Sequence, residues 1–177
     1  GNYPTELTKL YGSLEGGGDS VDAKPGVYAL SFGKSTSATG LTSIALGSAS
    51  VASGDQSFAV GSSVEASGSA SFAGGSASKA EGPTSFAFGS SSRAEAADSV
   101  AIGSGAIVDS TSTGSVYIGA DGSVGSSNNS IVLGLENFVQ MSSNRSYIIG
   151  NRNANQNANE SFIIGNDSFA RGANSIV

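Results

Sequence analysis

The chain of 177 residues has no cysteine, no histidine, three prolines and only 12% charged residues. Without cysteine there is neither a disulfide framework nor a thiolate metal site, and the redox compartment leaves no trace in cysteine usage. Without histidine the commonest general base and zinc ligand is missing. Eight Lys and Arg stand against fourteen Asp and Glu, a formal charge of −6, with no cationic run. That balance argues against a nucleic-acid partner, whose phosphates need clustered cations. Long apolar runs are absent too. Ile131-Val132-Leu133 is typical of the longest aliphatic stretches, whereas a bilayer-crossing helix needs roughly 18 to 20 apolar residues. No membrane contact is expected of this chain. No secretory leader is legible at Gly1, and Ser175-Ile176-Val177 stops part-way through a repeat, so the chain reads as a piece of something longer.

What remains is dominated by small residues, with 26 glycines among many serines, alanines and asparagines. Such a composition suggests disorder at first sight, but disordered chains are highly charged and poor in β-branched and aromatic residues. Here Val, Ile and Phe recur at regular intervals. A five-residue phrase from Ser to Gly appears as Ser43-Ile44-Ala45-Leu46-Gly47, then at Ser57–Gly61, Ser71–Gly75, Ser85–Gly89 and Ser99–Gly103, in steps of 14 residues. It continues at Ser115–Gly119, Ser130–Gly134, Ser146–Gly150 and Ser161–Gly165, in steps of 15 or 16, and Ala29–Gly33 is a degenerate first copy. A weaker second phrase lies between these, with Ala38 and Gly40, Ala52 and Gly54, Ala66 and Gly68, and Ala80 and Gly82.

Large and small residues alternate with a period of two within the first phrase, which is the strand signature, and the closing Gly suits a turn that needs φ > 0. Two short strands and two tight turns use up a 14-residue repeat, so each repeat is one coil of an all-β parallel solenoid. Stacked coils pair equivalent strands in register at about 4.8 Å, and ten of them make a rod on the order of 50 Å long. Two internal arrangements are compatible with the alternation. In one, the small residues (Ala45 with Ala52, Ala59 with Ala66) face each other and the large ones lie outside; in the other, the large residues fill the coil. Either way a coil carries about two large apolar side chains, little to set against the ordering of its backbone. Neighbouring chains are therefore expected to complete the core. The residues expected in the core or at an interface between chains are Ile44, Leu46, Phe58, Val60, Phe72, Phe86, Phe88, Val100, Ile102, Val116, Ile118, Ile131, Leu133, Tyr147, Ile149, Phe162 and Ile164.

Ser99-Val100-Ala101-Ile102-Gly103 resembles the repeated Asn-Ser-Val-Ala-Ile-Gly phrase of YadA-like heads in trimeric autotransporter adhesins, and Asn129-Ser130 and Asn174-Ser175 keep the leading asparagine. The resemblance extends over residues 27–177. It implies a left-handed parallel β-roll, a homotrimer, and a location on the bacterial cell surface, anchored to the outer membrane through parts outside this chain. It also implies adhesion to a host extracellular matrix protein or epithelial receptor, collagen-like or CEACAM-type, or autoagglutination, and neither an enzymatic activity nor a cofactor. Two departures stand out. Gly74 replaces a large apolar residue, and the small middle residue becomes Tyr117, Val132, Ile148 and Ile163, which points to a wider or differently packed lower half.

Residues 1–26 fall outside the period and are read as a capping or linker segment, because a solenoid needs cover at its ends. Leu7, Leu10, Tyr11 and Leu14 fit either a short helix after Pro4 or an irregular capping coil. In the second half the connections from Leu135 to Ser143 and from Asn151 to Asn159 are expected to project, which makes Phe138, Met141 and Arg152 candidate ligand contacts. A core or interface role for Phe138 and a solvated asparagine ladder are the plainer alternatives. Asn128, Asn144 and Asn159 formally match glycosylation acceptors. Among rival functions, a hexapeptide acyltransferase would need an 18-residue coil and generally a histidine base. A calcium-binding solenoid would need repeated Gly-Gly-x-Gly-x-Asp, and an ice-binding one a threonine ladder. The sequence has none of these. A spacer rod that displays another binding domain is the serious alternative to an adhesin head.

Overall fold

The computed structural model describes residues 14–16 and 26–177. These form two parallel sheets running the length of a solenoid of about ten turns, an 11-stranded and a 10-stranded one. The chain alternates between them, and no helix occurs among the described residues. In the first sheet, strands such as Ile44–Ser48, Phe58–Ser62, Val100–Ile102 and Phe162–Asn166 hold three or five residues; in the second, strands such as Val51–Ala52 and Phe138–Gln140 hold two or three. Register is set by the repeat: Ile44 lies opposite Phe58, Phe58 opposite Phe72, and Val116 opposite Ile131. Of the residues given a helical spacing, Leu14 begins a strand, Leu14–Gly16, that pairs parallel with Leu30–Phe32. Leu7, Leu10 and Tyr11 lie outside the described residues.

The interior belongs to the small side chains. Ala45, Ala59, Ala73, Ala87 and Ala101 from the first sheet, with Ala52, Ala66, Ala80, Ala94 and Val108 from the second, are completely buried and form one core. The serine that opens each phrase also points inward, as at Ser43, Ser57, Ser71, Ser85 and Ser99. Of the two arrangements compatible with the alternation, the chain adopts the one with the large residues outside. A coil of 14 residues leaves room for small side chains, as with Ser43, Ala45, Ser50 and Ala52 in one coil.

The turns explain the glycine column. Gly47, Gly61, Gly75 and their equivalents to Gly165 have φ between 108° and 155°. A Cβ on Gly61 would stand 1.9 Å from the carbonyl oxygen of Gly75 in the next coil. Non-glycine residues take left-handed conformations at both corners, including Ala49, Ser63 and Ala77 at one and Thr42, Gln56 and Ala70 at the other, with φ between 53° and 59°. Each costs roughly 1–2 kcal/mol. The cost is offset by coil-to-coil hydrogen bonds: the N–H groups of Ala49, Ser63 and Gln56 donate to Lys34, Ser48 and Leu41 carbonyls at 2.8, 2.8 and 2.7 Å.

The lower half is wider, in one direction only. The path from the buried middle residue of the first strand to its counterpart in the second keeps the same length, from Ala45 to Ala52, Tyr117 to Val124 and Ile148 to Asn155. All added residues fall on the return path, within 109–114, 125–130, 140–146 and 156–161. Their backbone is held from inside, because Ser127, Ser130, Ser143 and Ser146 N–H groups donate to Ser112, Ser115, Ser127 and Ser130 hydroxyls one coil earlier, at 3.2, 3.1, 3.0 and 3.2 Å. The enlarged interior accepts Tyr117, Val132, Ile148 and Ile163, all fully buried. The expectation of long projecting connections is thereby corrected: Leu135–Ser143 and Asn151–Asn159 each contain a strand, Phe138–Gln140 and Ala154–Gln156, and the added length is spent on girth.

Candidate interaction surfaces

With the interior filled by small residues, the large apolar ones have one place to go. All seventeen residues expected in the core or at an interface lie on the outer face of the first sheet, and none is buried. They form two columns, one through Ile44, Phe58, Phe72, Phe86 and Val100, the other through Leu46, Val60, Phe88 and Ile102, each continued to the last coils. Phe58, Phe72 and Phe86 stack with ring centroids 5.2 and 4.8 Å apart and planes within 8° of parallel. The gap at Gly74 is not open: a Cβ there would meet Phe88 at 2.8 Å and Phe72 at 3.0 Å. The two rings close over the missing side chain, so the stripe is continuous.

The outer face of the second sheet differs. Through the middle coils it carries Glu65, Lys79 and Arg93 in one column with Glu81 and Glu95 beside them. Lys79 Nζ lies 2.8 Å from Glu65 and 3.8 Å from Glu81, and Arg93 pairs with Glu95. The hydrogen bond to Glu65 and its charge raise the Lys79 pKa above the ordinary lysine value. Further down, the same column becomes Phe138, Ala154 and Phe169. Arg171 lies over the Phe169 ring at 4.9 Å, a cation–π contact.

Phe138 therefore sits on the second face, exposed, whereas Met141 is at the corner that follows it and Arg152 at the opposite corner. The three candidate ligand contacts do not share one surface. Arg152 is engaged by Asp167, with Nε and Nη2 donating to the carboxylate at 2.6 and 2.8 Å. Phe169 escaped the sequence reading, although its position in the repeat matches that of Phe138. The asparagines form ladders: Thr113, Asn128 and Asn144 N–H groups each donate to the side-chain oxygen of the asparagine one coil on, all at 2.8 Å. The acceptor-like Asn-x-Ser spacing thus follows from a corner asparagine and an inward serine. No cluster of three or more Asp, Glu, His or Cys side chains able to hold a metal ion occurs among the described residues, and no helix among them is long and apolar enough to cross a membrane.

A family model for the YadA head domain repeat matches residues 26–63 and 80–106, in two copies. Those two stretches carry YadA head repeats. No curated protein matches its sequence. The matched stretches lie in the 14-residue coils, and the wider coils continue the same two sheets without a break in register. YadA-like heads belong to surface adhesins anchored in the outer membrane, a family that is generally not enzymatic.

Proposed function

We propose that this YadA-like head works as a three-chain adhesive rod, with the first sheets turned inward against one another and the second sheets turned toward the surroundings. The asymmetry of the two outer faces carries this reading: one is an unbroken apolar stripe over about ten coils, the other is charged in its middle coils. Soluble monomers rarely expose contiguous apolar patches beyond a few hundred Å², and this stripe runs through about ten coils. Sister copies of the same chain present the same stripe at the same levels, which makes them the natural cover.

The ligand-facing surface is then the lower part of the second sheet, where Phe138 and Phe169 flank Ala154. Large aromatic residues dominate binding energy where they become desolvated. The ligand class is a host matrix protein or epithelial receptor, collagen-like or CEACAM-type, or another head in autoagglutination. The head is to be tested against immobilised matrix proteins, receptor ectodomains and itself, beside a Phe138→Ala/Phe169→Ala variant. Binding that falls at least tenfold in the variant, with the oligomer unchanged, supports the reading. A second reading is favoured by the upper half, where the charged side chains of the second face are satisfied within the chain. A rod of that kind serves as a spacer, and a head that binds none of these ligands would establish that role instead.

A further inference from the structure

Corners of the coils are mostly polar or small, and among the described residues one coil alone carries a large exposed apolar residue at both of its corners. The residue after each turn glycine is Lys34, then Ser48, Ser62, Ser76, Ser90 and Ser104, then Ala120, Leu135, Asn151 and Asn166. Leu135 is the one large apolar residue in that column, and it is 51% exposed. At the opposite corner Val27, Tyr28 and Leu41 are exposed in the first coils, and Met141, at 53%, in the widened half. Leu135 and Met141 belong to the same coil. Met141 and Ser142 have φ of 58° and 62°, the one place among the described residues where two consecutive residues are left-handed.

We propose that Leu135 of one copy packs against Met141 of the next, forming a seam contact that closes the ring of three chains at this level. The proposal rests on the three-chain reading above. When first sheets face a common threefold axis, each chain meets its neighbour corner to corner, the first corner of one against the second corner of the other. Rotation about an axis along the rod keeps equivalent coils at one height, so two residues on opposite corners of one coil of a single chain become neighbours across the seam. Leu135 also continues the stripe through Ile131 and Leu133 of the same coil, so the apolar surface runs without interruption from the inward face to the seam. A methionine, unbranched and polarisable, suits a contact whose shape a rotation dictates. Elsewhere the seams would be lined mostly by small and hydrogen-bonding side chains, which leave neighbouring registers nearly equivalent; this contact marks one level.

The test is a pair of charge substitutions in the whole chain. L135E alone and M141K alone are each expected to lower the melting temperature of the assembled head, and L135E/M141K together to recover most of the loss. The two sites lie on opposite corners within one chain, so recovery requires contact between chains. As a second measurement, L135C/M141C treated with a short bismaleimide is expected to run as a covalent trimer, whereas each single variant stops at a dimer or below; the sequence has no other cysteine to interfere. A head that scatters as three chains but shows additive losses and no covalent trimer would overturn the seam and leave the three-chain reading standing. A head that scatters as one chain would overturn both.

Discussion

Tyr117 stands at the first of the widened coils, and its hydroxyl ties three strands of backbone together. Oη lies 3.2 Å from the Ala120 and Gly134 carbonyls and accepts from the Asn137 N–H at 3.3 Å. Burial pushes the phenol above its ordinary pKa, so it remains protonated and able to donate. The space it fills exists because residue 122 is glycine: a Cβ there would stand 2.1 Å from Oη and 2.3 Å from the Asn137 carbonyl. Tyr117→Phe leaves the buried Asn137 N–H without its acceptor and is expected to cost about 1–3 kcal/mol. Gly122→Ala is expected to cost more, because backbone must move, and thermal melts of the two variants give the order. Asp109 offers a pH-dependent counterpart. Burial alone would raise its carboxyl, but hydrogen bonds donated by Thr111 and Ser112 side chains and by Thr111 and Ser126 N–H groups outweigh it and hold the pKa below 3.8. A carboxyl depressed on folding contributes stability that is complete above its unfolded value and lost as pH falls through the folded one. The melting temperature of the native head should therefore fall more steeply below about pH 4 than that of Asp109→Asn; equal slopes would remove Asp109 from the account.

At the scale of strands and corners, the alternation of large and small residues fixes which residues share a face but not which face is inside. The repeat, its steps and the turn glycines were legible because each follows from local conformational preference. Ala59 beside Phe58 and Val60 does not reveal which of them meets the opposite wall. One clue was available: the middle residue becomes Tyr117, Val132, Ile148 and Ile163 where the step lengthens, and a larger residue needs a longer coil only if it points inward. The location of the added residues was harder to see, because Val108, Val124, Val139 and Asn155 break the alanine–glycine spelling of the second phrase. Surface sites were least legible. Phe138 and Met141 look alike in sequence, as apolar residues in a polar neighbourhood, and only the placement of one on a sheet and the other at a corner separates them. The two outer faces should respond differently to substitution. Ile149→Glu, in the apolar stripe, is expected to lower both the melting temperature and the mass of the particle. Lys79→Gln, which removes an exposed ion pair on the other face, is expected to shift stability by no more than about 1 kcal/mol.

For the whole molecule, the fold trades thickness for length. A core built mainly of alanine, serine and valine, with Tyr117, Ile148 and Ile163 in the wider coils, lets the coils close on 14 to 16 residues, and it leaves most of the large apolar side chains on one outer face. The same choice that makes each coil compact leaves the isolated rod with an apolar flank. The second face is charged in its middle coils, and Phe138 and Phe169 set its lower coils apart from them. Light scattering coupled to size exclusion tests the central claim directly. Three-chain assembly predicts a particle of three times the 17.3 kDa chain mass that persists on dilution. A stable 17.3 kDa particle with its strand signal intact would show that the stripe needs no sister chain, and would contradict it.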